Sequence, residues 1–330
     1  MNMLNTRSDV TIFRRLGARA SSLMICLCFG CASAPPAPDA TRIATVAPTA
    51  QQKVFASPEE AVEVLIEAAE NGDTAVLAEL FGPDGMDLVA TGDPVLDKNQ
   101  AAGFAAQARV KTKIVRDPEN PDVVTVVVGP DDWPAPIPIV NDSGSWRFDT
   151  AAGRQEILFR RIGENELDAI EVCRGFVEAQ YEYAFERPEG VRPSQFAQRI
   201  ISSPGKKDGL AWQTEDGSWE GPVGEGIAQI IAEGYSERYE PFHGYYFKVL
   251  KGQGPDAPLG EMDFVVGGAM IGGFALVAAP ADYEVTGVMT FIVSHEGVVY
   301  QKDLGPETLD QFRAMERYNP DPAWDPVAEE

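Results

Sequence analysis

Cysteine and histidine are nearly missing from this 330-residue chain, which has four of the first and two of the second. Cys26, Cys28 and Cys31 fall in a short leader, so Cys173 is the one thiol in the body. A disulfide framework is thereby excluded, and His243 and His295 are too few for a structural zinc site. Basic residues are scarce as well, 27 against 51 acidic, giving a net charge of −24. Such a surface repels nucleic acid and anionic headgroups, and no basic patch exceeds Lys111 with Lys113 or Lys206 with Lys207. No metal and no cofactor is implied. The glycines at 267, 268, 272 and 273 fit no phosphate-binding fingerprint, because no helix with the required Lys or acidic residue follows them. Long apolar runs are lacking too. Residues 23–29 and the glycine-rich stretch 264–279 are both too short to span a bilayer.

The leader itself is informative. Arg7, Arg14, Arg15 and Arg19 precede the apolar residues 23–29, then Gly30-Cys31-Ala32-Ser33-Ala34 and a Pro-rich stretch. This is the three-part layout of a bacterial export signal. Two cleavage sites compete. Ala32-Ser33-Ala34 has the small-x-small form, but Pro35 would follow the cut and blocks the ordinary peptidase. The other site is a lipobox in which Cys31 is lipidated, departing from the usual pattern at Cys28 and Phe29. Ala32 is not the Asp that retains lipoproteins at the inner membrane, so the expected address is the outer membrane. Arg14-Arg15 is surrounded by residues that fit a twin-arginine signal poorly. Loss of residues 1–30, with four arginines and one aspartate, takes the net charge from −24 to about −27.

Five segments are expected: a signal peptide at 1–30, an Ala/Pro-rich tether at 31–54, domains at 55–162 and 163–318, and an extended tail at 319–330. The first domain opens with Ser57-Pro58-Glu59-Glu60, a cap, a first-turn proline and a capping box. Ala61, Leu65, Ala68 and Ala69 form its apolar stripe, and Asn71-Gly72 ends it. Further helices are expected at 74–80 and 99–108, then strands at 123–128, 137–140 and 146–148 with a turn at 141–144. Helices on a curved antiparallel sheet make an α+β domain analogous to the nuclear-transport-factor-like fold.

Residues 154–184 read as helical with an interruption at 163–165, where the domain junction is expected. Ile170, Cys173, Val177 and Tyr181 share one helical face, which makes Cys173 a small buried apolar residue. A helix at 226–233 and strands at 244–250, 264–266, 273–278, 289–293 and 298–302 complete a second α+β domain. Two buried strands joined around 267–272 account for the apolar stretch, and Trp324 is expected to clamp the tail.

Several long phrases carry a resemblance. They include Trp146-Arg147-Phe148-Asp149, Arg160-Arg161-Ile162-Gly163 with Asn165-Glu166-Leu167, Pro204-Gly205-Lys206-Lys207-Asp208-Gly209-Leu210, His243-Gly244-Tyr245-Tyr246-Phe247 and Gly287-Val288-Met289-Thr290-Phe291. Together they closely resemble the bacterial domain-of-unknown-function family numbered 2950 over nearly the whole mature chain. One departure is Ala211-Trp212, where family members more often show an aromatic pair. The resemblance implies an exported envelope protein with no assigned activity. More loosely, 167–304 is similar to the globular heads of type IV pilins and pseudopilins, without their apolar N-terminal helix.

Candidate chemistry is sparse. Ser203-Pro204-Gly205-Lys206 has the Ser-x-x-Lys spacing of penicillin-binding enzymes, but Pro-Gly opposes the helix that would stack Lys206 under Ser203, and a turn is expected. His243 as a general base needs an orienting carboxylate, for which Asp208 or Glu240 is a candidate. His295 sits in an exposed hairpin turn and begins no zinc-binding motif, since Val299 holds the last position. Glu156, Glu164 and Glu166 are interleaved with Arg160 and Arg161, which points to ion pairs rather than a glycosidase pair. Trp212, Trp219, Tyr235 and Tyr239 are the candidates for stacking on sugar rings. The expectation is an envelope lipoprotein, anchored to membrane through Cys31, that serves as a non-catalytic scaffold or binding module for an envelope protein or glycan. The alternatives are a periplasmic enzyme on peptidoglycan or another glycan, and an accessory of a pilus or secretion machine.

Overall fold

Ser57 begins the described fold as the sequence requires. Its extended backbone (φ −147°, ψ 159°) lets the hydroxyl accept the Glu60 N–H at 3.2 Å, while the Glu60 carboxylate accepts the Ala56 N–H at 3.1 Å. Helix α1 (Pro58–Asn71) follows and stops at Gly72, whose φ of 64° is the left-handed position that ends helices. Asp73 then caps α2 (Thr74–Phe81) by accepting two backbone N–H groups at 3.1 Å. The protein is represented by a computed structural model that describes residues 52–82, 85–88, 94–186, 195–224 and 241–328.

A 3-10 turn (Met86–Leu88) and helix α3 (Pro94–Val110) precede five antiparallel strands: β1 (Thr112–Arg116), β2 (Val123–Val128), β3 (Trp133–Pro134), β4 (Ile139–Asp142) and β5 (Ser145–Phe148). Their order is β1-β2-β4-β5, with β3 also paired to β2. Alternation decides which face is buried. Val124, Val126 and Val128 point inward, and the helices α1 and α3 pack over them with Leu80, Ile139 and Phe148. The β4–β5 turn is the tight two-residue type, with Ser143 and Gly144 both at positive φ and the Asn141 amide oxygen accepting the Gly144 N–H. Strand β1 escaped the sequence reading because both its faces are largely exposed and it has no buried alternation.

Helix α4 (Thr150–Glu186) is 37 residues long and unbroken. The interruption expected at 163–165 is therefore corrected. Asn165 and Glu166 do not end the helix; they project from it, Asn165 to donate and Glu166 to accept tertiary hydrogen bonds. The division into two compact units falls between Arg160 and Arg161, inside the helix.

The second unit adds a small sheet of β6 (Arg199–Ile201), β7 (Gly209–Gln213) and β8 (Trp219–Glu220), in which β6 and β7 are parallel. Its main sheet begins with β9 (Tyr245–Leu250). Two short hairpins follow, β10 (Gly252–Gln253) with β11 (Met262–Asp263) and β12 (Val265–Val266) with β13 (Ala269–Met270). Then come β14 (Ala275–Pro280), β15 (Met289–Ser294), β16 (Val299–Asp303), helix α5 (Thr308–Ala314) and β17 (Asp325–Pro326). The antiparallel order is β17-β16-β15-β14-β9. Every residue of β14 is buried, which explains its unbroken apolar sequence. The apolar stretch 264–279 thus holds a hairpin at Gly267-Gly268 and most of the interior strand β14, although Val266 is exposed rather than buried. From α4, Cys173, Phe176 and Tyr183 are buried, whereas Tyr181, expected on that face, is 49% exposed. The tail, expected to be extended, makes a turn in which the Trp324 N–H bonds the Asp321 carbonyl; Trp324 is buried, and the β17 pairing continues the sheet. The fold is α+β. Among the described residues no helix is long and apolar enough to cross a membrane. The leader, Cys31, most of the tether and the helix expected at 226–233 lie outside the described residues.

Candidate functional site

Open space remains between the sheet of the first unit and its helices. It forms a cavity of about 260 Å³. Leu65 and Ala69 of α1, Leu77 and Phe81 of α2, and Ala101 and Phe104 of α3 supply one wall. Val126, Trp133, Ala135, Ile137 and Phe148 supply the other, and Leu88 and Ile157 contribute to the lining as well. Gln100 is the only polar side chain among these lining residues. Locally, α1 and α3 present the small residues Ala69 and Ala101 to this space, and the inward residue Val126 of β2 is apolar.

Two ion pairs among the described residues stand near the lining. The Arg160 guanidinium lies 5.4 Å from the centre of the Trp133 ring, donates to the Pro134 carbonyl at 2.9 Å, and bonds the Glu156 carboxylate at 2.7 Å. Asp87, beside the lining residue Leu88, is held by both terminal nitrogens of Arg154 at 2.5 and 2.9 Å. That hydrogen-bonded guanidinium lowers the Asp87 carboxyl below its ordinary range. Chemically, this is a place for an apolar body. Nothing in it resembles a nucleophile with a base.

In the second unit, the carboxylate beside His243 is Asp168, on α4, and neither Asp208 nor Glu240. His243 Nδ1 and Asp168 Oδ2 are 2.5 Å apart. His243 and Gly244 both have positive φ, 47° and 72°, and Phe242 and Tyr245 exchange backbone hydrogen bonds at 2.9 Å across them. The ring is thus carried on a tight turn, pressed to the Phe242 ring with centroids 4.3 Å apart. The bond to Asp168 raises the imidazole above its ordinary range, against the opposing effect of burial, with further support from the charges of Asp168 and Glu164. Around it α4 grips the following loop: Asn165 donates to the Thr286 carbonyl at 2.8 Å, Glu166 accepts the N–H groups of Val288 and Met289, and Arg161 donates to the Val285 carbonyl. Asp168 was not singled out from the sequence because 75 residues separate it from His243 and its helix gave no functional pattern.

Asp208 is instead the partner of Ser203, accepting its backbone N–H at 2.7 Å and its hydroxyl at 3.0 Å. Lys206 is exposed, and its backbone N–H closes the expected turn onto the Ser203 carbonyl. Trp212 is buried, donates to Glu220 at 3.1 Å, and has the Lys207 ammonium 4.9 Å from its ring centre. Trp219 is partly buried against the core. Tyr235, Tyr239 and Glu240 lie outside the described residues. His295, expected in the open, is half-buried. Its Nδ1 has no hydrogen-bond partner among the described residues and faces the close approach of Gly273. Cys173 is fully buried, and desolvation pushes its thiol up to about 12. Glu156 is bonded by Arg160, and Glu166 by two backbone amides, so neither stands as a free glycosidase carboxylate. Among the described residues no cluster of His, Cys, Asp and Glu could hold a metal ion.

No curated protein and no solved structure shows significant similarity to this chain. The nuclear-transport-factor-like analogy therefore rests on element order, and the pilin-head likeness on element order with short phrases such as Ala179-Gln180 and Gly244-Tyr245-Tyr246-Phe247. Residues 52–327 match the family model described as "Protein of unknown function (DUF2950)", a span that takes in every long phrase set out from the sequence, and the chain belongs to that family.

Proposed function

We propose that this protein is an exported envelope lipoprotein whose folded part is a non-catalytic binding module, and that the first unit binds a small apolar molecule. The observation that carries the reading is the apolar cavity of about 260 Å³ between α1, α3 and the sheet. Ligand pockets are concave and mostly apolar with few polar groups, and this cavity has that character. The lipoprotein part of the reading rests on the leader and Cys31.

Naphthalene, an apolar body of ten carbons, is a suitable probe for calorimetry. Saturable one-to-one binding is expected, and it should be lost in Ala101→Phe, which fills the cavity from α3. Circular dichroism and a retained unfolding transition would show that the variant still folds. Binding that survives in the folded variant would sink the reading. For the anchor, a Cys31→Ser protein should leave the membrane fraction and lose acyl mass.

The dyad of His243 and Asp168 favours a second reading, a hydrolytic enzyme on an envelope glycan. A neutral imidazole oriented by a carboxylate is a competent general base for water. Turnover of peptidoglycan fragments that disappears in His243→Ala would establish it over the binding module.

A further inference from the structure

Resting on the cavity as a ligand site, we infer that its ligand class is an uncharged amphiphile: one compact hydrocarbon body of about ten carbons bearing a single neutral hydrogen-bonding group. Size sets the first limit. An apolar protein cavity of about 150 Å³ holds benzene, so 260 Å³ suits roughly ten carbons rather than a full lipid.

Charge sets the second. The guanidinium stacked on Trp133 is bonded by Glu156, and Arg154 near Ile157 is matched by Asp87. An anionic head would have to displace a carboxylate that already has good geometry. A cationic head would find no carboxylate among the lining residues. Among the described lining residues, either ion would lose hydration beside apolar walls without a partner in return. The chain's net charge of −24 adds a general repulsion of anions. Gln100, exposed yet part of the lining, is the one side chain there able to both donate to and accept from a neutral head.

Matched decyl compounds separate these features. Decanol, decanoate and decyltrimethylammonium would be titrated into the full-length protein by calorimetry, decanol below its solubility limit and the two ions below their micelle concentrations. Decanol is expected to bind at least ten-fold tighter than either ion. From hexanol to decanol, affinity should rise about four-fold per methylene, then level off with longer chains. Gln100→Leu should weaken decanol about five-fold and leave naphthalene unchanged. An ion bound as tightly as decanol overturns the neutral-head inference, and an unchanged Gln100→Leu overturns the role given to that amide. If naphthalene binds and no decyl compound does, the ligand class is wrong while the site stands. If neither binds, the site itself is wrong.

Discussion

His243 holds a left-handed backbone position at φ 47°, uncommon outside glycine, asparagine and aspartate, and its ring is held by Asp168. Because the folded state raises the imidazole above its ordinary value of about 6.5, the stabilisation is complete below that value and fades as pH rises through the folded one. The ring is 41% exposed, so solvent screening keeps the effect under about 1 kcal/mol. His243→Asn preserves the turn and cannot titrate. Urea midpoints at pH 5.5 and 8.5 should therefore differ between the two proteins, with the wild type favoured at the lower pH. An identical pH dependence in both would remove the dyad as its source. Cys173 makes the opposite case of a group silenced by burial. In protein starting at Ala32, a thiol reagent should label it only after denaturation, and prompt native labelling would contradict a thiol displaced to about 12.

Two glycines of α4 separate helix propensity from packing. At Gly163 a Cβ meets nothing within 4 Å, so Gly163→Ala should gain about 0.5–1 kcal/mol from reduced backbone entropy. At Gly153 a Cβ would stand 2.7 Å from Ile137 Cγ1, and overpacking there should outweigh the same gain. Equilibrium urea unfolding of both variants checks the pair; a Gly153→Ala protein as stable as Gly163→Ala would mean that the Ile137 wall yields easily. The same helix shows where sequence reading reached its limit. The Gly163-Glu164-Asn165 run looks like a break because each residue is a poor or polar helix former. Here Asn165 bonds a loop 121 residues away, a tertiary fact that no local pattern contains. The cap at Ser57, the alternation of β2 and the interior strand β14 were legible, since each shows as a local bond, a local period or an unbroken apolar run. The cavity was not. It arises from alanines and aromatics on three helices and a sheet, and every one of them reads from sequence as ordinary core.

Each unit has its own apolar core: Leu80, Val124, Ile139 and Phe148 belong to one, and Cys173, Phe264, Leu276 and Phe291 to the other. A ligand bound only between α1, α3 and the first sheet acts on the first core by mass action. At one hundred times its dissociation constant, it stabilises the binding-competent state by about 2.7 kcal/mol. Amides that exchange only when that unit opens should then slow by roughly a hundred-fold. Hydrogen exchange with and without decanol is expected to protect α1, β2 and β4 strongly, while β14 and β15 exchange at unchanged rates. Local openings, such as that of the Met86–Leu88 turn, should gain less, because a short turn with no buried residue exchanges without global opening. Equal protection of β14 would mean that the two cores open together through α4, and ligand stabilisation in the first unit would then be felt by the whole chain.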